Sequence, residues 1–306
     1  MINLFNVNHY KIDTAQFSNL LHDKCVTEFE NDFADYVGAK YACTANSASS
    51  LIFLSLLRYA PTVVKIPTIM PIVVPNVITN TRHKIIFYDD PDWVGHCYHL
   101  HDNIYDSAQE VSRDIYKKIN DDNAIMIFSF YPTKPVGSCD GGMVVCNDYD
   151  TIQYFKTMTM NGTTQNSDSW KRSQTVAGYK MHINSLQAAM AHSNLKKLDT
   201  KNKILEEIKG IYNQTFGIQN TSNHLYRIKV ANNALFLKKM AECGIQCGIH
   251  YETCHNKTFF NCNQQSLPIS ESASMHYASI PFHEGLSVND IKKVITYTHK
   301  FSKDNR

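Results

Sequence analysis

Ser129-Phe-Tyr-Pro-Thr-Lys134-Pro-Val-Gly-Ser-Cys-Asp140-Gly141-Gly142-Met143-Val-Val-Cys146 joins two apolar runs, Ala124 to Phe130 and Met143 to Cys146, through a turn that carries one lysine and paired glycines. Short continuous apolar runs suit strands buried on both faces. Lys134 then stands just past the carboxyl end of a strand, where open α/β sheets place their ligands. A partly desolvated lysine amine there loses its proton more readily and can attack an aldehyde to form an imine. By itself the same residue reads sooner as a surface lysine in a turn.

Outward from that segment, Lys84 to Tyr88 and Asn103 to Tyr105 read as further short strands. Val26, Phe29, Phe33 and Tyr36 fall three or four apart and predict an amphipathic helix ending at Gly38. The stretch from residue 184 to about 216 predicts one long helix or a broken pair, and the last third alternates strand-like and helical pieces. The expectation is an α/β fold with a mostly parallel sheet flanked by helices and a smaller C-terminal α+β domain. The division expected is 1–190 and 191–306.

Two other places supply partners for Lys134. Asp106 ends the strand Asn103-Ile-Tyr-Asp106 and would emerge at the same sheet edge. A buried aspartate needs a cation, such as a protonated ring nitrogen, or it serves as a helix cap. Asn46-Ser47-Ala48-Ser49-Ser50 opens an apolar helix, so it is either an anion site at a positive helix end or an ordinary N-cap. Ser129 could add a hydroxyl to the same anion. Together they make an imine-forming amine, a pyridinium partner and a phosphate cradle.

The segments FENDFADYVGAKYACTANSASSL (29–51), YDSAQ (105–109), SFYPTKPVGSCDGGMVVCND (129–148), AGYKMHINSLQAAMAHSNLKKLD (177–199) and HYETCH through SIPFH (250–283) resemble the DegT/DnrJ/EryC1/StrS family of sugar aminotransferases. The resemblance implies a fold-type I pyridoxal 5'-phosphate (PLP) enzyme, a homodimer with active sites at the interface. Such an enzyme moves an amino group from an amino acid, L-glutamate in most members, to a nucleotide-linked keto-6-deoxy sugar. It assigns Lys134 to the Schiff base with PLP and Asp106 to the pyridine nitrogen. It places Gln109 near the ring and Ser47, Ala48 and Ser129 on the phosphate. Lys180 stands where the family has an asparagine that reaches the phosphate of the neighbouring subunit, and Tyr251 and His255 fall in a segment that contacts substrate or lies near the site. Relatives that dehydrate carry histidine in place of the lysine, so Lys134 implies transamination, with C-4 preferred to C-3 as the aminated carbon.

The chain departs from the family in two respects. The stretch 89–103 is shortened, and IPTIMPIVVPN offers only Met70 or Pro71 where an aromatic usually stacks on the ring. These departures motivate an alternative, a non-catalytic PLP-binding regulatory protein on the same fold.

Other classes find little support. In 306 residues, 30 basic side chains against 28 acidic ones leave no field for nucleic acid. The run Ile66 to Ile78 is broken by Pro67, Pro71 and Pro75 and falls short of the roughly 20 residues of a membrane helix. The start, MINLFNVNHYKID, shows no secretory signal, so a cytoplasmic protein is expected, its nine cysteines reduced and its Asn-x-Ser/Thr sequons idle. Cys243, Cys247, His250, Cys254, His255 and Cys262 match no common zinc spacing, HExxH is absent, and so is the dinucleotide GxGxxG. No metal is expected.

Overall fold

The computed structural model describes residues 1–7, 10–164, 173–260 and 266–304. Along the chain run α1 (Lys24–Val37), β1 (Tyr41–Ala45), α2 (Ala48–Leu56), β2 (Val63–Pro67), α3 (Val73–Asn80), β3 (Lys84–Tyr88), β4 (Tyr98–His101), β5 (Ile104–Asp106), β6 (Ile125–Ser129), β7 (Gly142–Cys146) and α4 (Tyr149–Thr159). There follow β8 (Thr163–Thr164), β9 (Ser173–Gln174), α5 (Ser185–Leu195), α6 (Leu198–Phe216), β10 (Tyr226–Lys229), α7 (Asn233–Glu242), α8 (Pro268–His276), β11 (Tyr277–Ile280) and α9 (Val288–Phe301). The helical stretch after residue 184 is thus a broken pair.

Contacts divide the chain into two compact units, one of residues 8–62 and 97–196, the other of 1–7, 63–96 and 197–306. The division expected at residue 190 groups 63–96 with the first part of the chain, whereas these contacts group them with the last.

The unit of 8–62 and 97–196 is built on a five-stranded sheet in the order β1-β7-β6-β5-β4. β5 and β6 pair parallel, and the pairs β1–β7, β6–β7 and β4–β5 are antiparallel. The α/β class holds, but this sheet is mixed rather than mostly parallel, and the connections give the reason. A parallel partner needs a crossover of a dozen or more residues. β4 and β5 are joined only by a tight turn, with Asp102 at φ 47° in the left-handed region, so they can pair only antiparallel. Between β6 and β7 the Lys134 turn is closed by the Phe130 N–H on the Gly141 carbonyl, which sends β7 back along β6.

The residues account for their elements. α1 starts at Asp23, whose carboxylate accepts the Cys25 N–H, and stops at Gly38, at φ 85°. Its buried face sets Phe33 4.9 Å from Phe128 and Phe29 5.1 Å from Phe130, measured between ring centres, which seats the helix on β6. Every residue of β6 and β7 is buried, as their uninterrupted apolar sequence requires of strands covered on both faces. At Gly142 the backbone approach is decisive, because a Cβ there would lie 2.5 Å from the Ala48 nitrogen. Only glycine lets the start of α2 settle against β7.

The other unit holds the antiparallel pair β10–β11, the parallel pair β2–β3, and a core that includes Tyr212, Tyr226, Phe236, Met240, Ile280 and Val294. No helix among the described residues is long and apolar enough to cross a membrane.

Gly142→Ala is expected to cost about 1–3 kcal/mol through overpacking against the backbone of Ser47 and Ala48. Denaturant unfolding should show a lower midpoint with unchanged slope.

Candidate active site

Strand direction gathers the site. β1, β5 and β6 run the same way in their sheet, so their carboxyl ends share one edge. Beyond β1 comes the first turn of α2, β5 ends on Asp106, and β6 ends on Ser129, from which the chain enters the Lys134 turn. Ser47, Ala48, Asp106, Gln109, Ser129, Lys134 and Lys180 all belong to this one unit.

The turn that carries Lys134 is closed across its neck. The Phe130 N–H donates to the Gly141 carbonyl at 2.8 Å and the Ser138 N–H to the Phe130 carbonyl at 2.8 Å. The Lys134 N–H donates to the Tyr131 carbonyl at 2.9 Å, and the Ser138 hydroxyl donates to the Gln187 carbonyl at 2.8 Å, which pins the turn to α5. The lysine backbone is therefore fixed before any ligand arrives. Lys134 is half-buried by exposed area, yet desolvation of its amine pushes the pKa down to about 8, against the opposing pull of the Asp106 charge.

Asp106 is 4% exposed. Its Oδ1 accepts the Ala108 N–H at 2.9 Å and its Oδ2 accepts the Tyr98 hydroxyl at 2.9 Å. Burial pushes the carboxyl above its usual range, while the Ala108 N–H, the Tyr98 hydroxyl and the charge of Lys134 pull it back. Its partner Tyr98 has no signal in composition or motif. It faces Asp106 because the two residues are directly paired across the β4–β5 ladder.

At the start of α2, Ser47 is the N-cap, with its hydroxyl accepting the Ser50 N–H at 3.1 Å. The first-turn N–H groups of a helix have no intrahelical acceptor and form its positive end. The Ser129 hydroxyl accepts the Tyr131 N–H at 3.3 Å, and Gln109 is buried just beyond β5. Lys180 is exposed and forms an isolated bridge with Met160.

Tyr251 and His255 belong to the other unit. His255 is buried, with Nδ1 2.8 Å from the Thr68 hydroxyl oxygen and Nε2 3.2 Å from a Glu271 carboxylate oxygen. Both ring nitrogens are thus engaged within that unit. Met70 is 1% exposed there. Among the described residues no group of three or more His, Cys, Asp or Glu is placed to hold a metal ion, the described cysteines are free, and Cys262 lies outside the described residues. A cavity of about 450 Å³ opens between α1, β1 and α4, but Lys134 and Asp106 do not line it. Its Glu30 is engaged by the Thr44 N–H at 2.8 Å and by the Lys156 ammonium at 3.2 Å.

The sheet edge suits one kind of cofactor: an aldehyde for a readily deprotonated amine, a cationic ring nitrogen for a carboxylate that burial leaves short of positive charge, and a phosphate for a helix start. Residues 103–298 match the DegT/DnrJ/EryC1/StrS aminotransferase family. The chain belongs to this family. It is a PLP-dependent aminotransferase. It is 22% identical, over 360 residues that cover 95% of this chain and 96% of the other, to the UDP-4-amino-4,6-dideoxy-N-acetyl-beta-L-altrosamine transaminase of Campylobacter jejuni. The aligned span exceeds the 306 residues here, so that relative carries stretches this chain lacks. In structure the chain resembles the aminotransferase TlmJ from Streptoalloteichus hindustanus, with a TM-score of 0.83 and 19% identity over 98% of each chain. It also resembles Helicobacter pylori PseC, an aminotransferase involved in the biosynthesis of pseudoaminic acid, with a TM-score of 0.80 and 18% identity over 97% of this chain and 98% of that one. The fold is that of the fold-type I aminotransferases.

With the amine at about 8, labelling of Lys134 in the cofactor-free protein by an amine-selective reagent should be half-maximal near pH 8 rather than near the usual 10.5. Asp106→Asn removes the charge that raises this pKa, so the midpoint is expected to move lower still, as quantitative peptide mapping across pH would show.

Proposed function

We propose that the chain moves an amino group from an amino acid, L-glutamate, to the keto carbon of a 6-deoxy sugar carried on a nucleotide, with C-4 preferred to C-3, in amino-sugar and glycan biosynthesis. The observation that carries the reading is the half-buried Lys134 beside the buried Asp106 at the sheet edge, each within reach of the other's charge. The Campylobacter relative's name describes a 4-amino-4,6-dideoxy sugar on UDP, which supports both the nucleotide sugar and the C-4 preference.

In this reading PLP, when bound, supplies the aldehyde that accepts the amino group and a ring that stabilises negative charge on the reacting carbon. Asp106 holds the ring nitrogen in its protonated form. The N–H groups at the start of α2, with Ser47, Ala48 and Ser129, hold the phosphate, and Gln109 lies against the ring. Lys134 Nζ takes the proton from the donor's α-carbon and later delivers one to the sugar carbon. An amine near pKa 8 can perform both transfers around neutral pH. Lys180 reaches the phosphate in a second copy of the chain, which makes the working unit a homodimer. Tyr251 and His255 belong to the segment assigned to the substrate side, His255 acting through its hold on Thr68 and Glu271. The reading is completed by a large PLP-binding domain of 1–190 and a cytoplasmic location.

Borohydride reduction of the protein loaded with PLP should leave a phosphopyridoxyl group on the Lys134 peptide, and a different lysine would overturn the assignment. Incubation with UDP- or dTDP-4-keto-6-deoxyglucose and glutamate should yield an amino sugar and 2-oxoglutarate. Lys134→Ala should slow turnover by about 10³-fold or more. No amino-sugar product from any keto sugar tried would reject the substrate class.

A further inference from the structure

The paired positions Tyr98 and Asp106 put a phenol and a carboxylate side by side on adjacent strands, 7% and 4% exposed. A buried carboxylate held at only one oxygen could turn about its last bond. Here Oδ1 is fixed by the Ala108 N–H and Oδ2 by the Tyr98 hydroxyl, each at 2.9 Å, so the plane of the carboxylate is set from two directions. Each oxygen retains a lone pair for a further donor.

The surroundings place unusual weight on the phenol. Cys97, the preceding residue, has its thiol pushed up to about 12 by burial, so it adds no negative charge beside Asp106 at neutral pH. Glu110 is turned to the backbone, where it accepts the Cys97 N–H at 2.9 Å. Lys134 is the cation whose charge reaches Asp106. Once that amine is neutral or bound to an aldehyde, its charge no longer supports the carboxylate, and two neutral hydrogen bonds have to keep it ionised until a ring nitrogen pairs with it.

We infer that Tyr98 is a positioning residue for the cofactor: its hydroxyl keeps Asp106 ionised and oriented, and so strengthens the pairing of that carboxylate with a pyridinium nitrogen. The inference rests on the PLP reading of Lys134 and Asp106. Tyr98 comes from the short β4–β5 hairpin, so the stretch 89–103, which carries none of the proposed cofactor-binding residues, also buttresses the site.

The test compares binding of PLP with binding of its 1-deaza analogue, in which a carbon replaces the ring nitrogen, to the full-length wild-type chain and to Tyr98→Phe. Loss of a hydrogen bond to a charged group should weaken PLP binding by about tenfold or more, while the analogue, which has no nitrogen for Asp106, should bind both proteins equally. In an Asp106→Asn background, Tyr98→Phe should cause no further loss. Equal weakening for both ligands would make Tyr98 a packing residue and overturn the inference, as would unchanged binding of PLP. Should Tyr98→Phe not fold, the wild-type protein serves. Its Tyr98 hydroxyl proton should resonate downfield and shift when the deaza analogue replaces PLP, and an unmoved resonance would overturn the inference. A wild-type chain that forms no reducible adduct at Lys134 would instead defeat the PLP reading, and the two failures are distinct.

Discussion

An amine and a carboxylate withdrawn from water at one sheet edge govern this molecule. Burial drives Lys134 toward the neutral amine and Asp106 toward the neutral acid, and each is held back by the other's charge. Their mutual attraction seldom recovers the full cost of desolvating two ions. A ligand that consumes the neutral amine and offers a separate cation to the carboxylate relieves both at once. In the proposed function this imperfectly compensated pair favours a cofactor with an aldehyde at one end and a protonated nitrogen at the other.

The backbone must place that pair, and connection lengths do so. β5 and β6 are parallel because the chain between them is long enough to cross over, and their carboxyl ends coincide. The Lys134 turn is tied across its neck by the Phe130 N–H and the Gly141 carbonyl, so β7 returns along β6, and β1 pairs with β7 in the direction that brings the start of α2 to the same edge. Gly142 then sets how closely that start approaches, since the backbone of Ser47 and Ala48 occupies the space of a side chain. The start of α2 and the Lys134 turn are positioned by two strands of one sheet, β1 and β6, with β7 between them.

Much of this was legible in the residues. Strand-end positions drew attention to Lys134, Asp106 and Ser129, and the run of small polar residues before an apolar helix marked Ser47 and Ala48. Strand direction was not legible, because a fully buried strand shows the same apolar run whichever way its neighbours point. Only the turn at Asp102 and the closure of the Lys134 turn between Phe130 and Gly141 decide it. Tyr98 was missed for a related reason: in a four-residue strand no periodicity tells which residue will face Asp106, and the pairing register alone determines it. His255 shows the converse, a histidine noticed for its chemistry whose two ring nitrogens are taken by Thr68 and Glu271, partners remote in sequence.

The stretch 89–103, between β3 and β5, carries none of the residues proposed to bind the cofactor. Those residues stand at the start of α2, at the end of β5 and just beyond it, at the end of β6, in the turn before β7 and in the loop that carries Lys180. What the stretch supplies is the outer edge of the sheet, where a short antiparallel strand pairs with β5. An edge strand joined by a tight turn costs little closure entropy, and it brings Tyr98 into register with the carboxylate that the ring nitrogen would meet. The contribution inferred for this stretch is therefore a single hydrogen bond, from Tyr98 to Asp106.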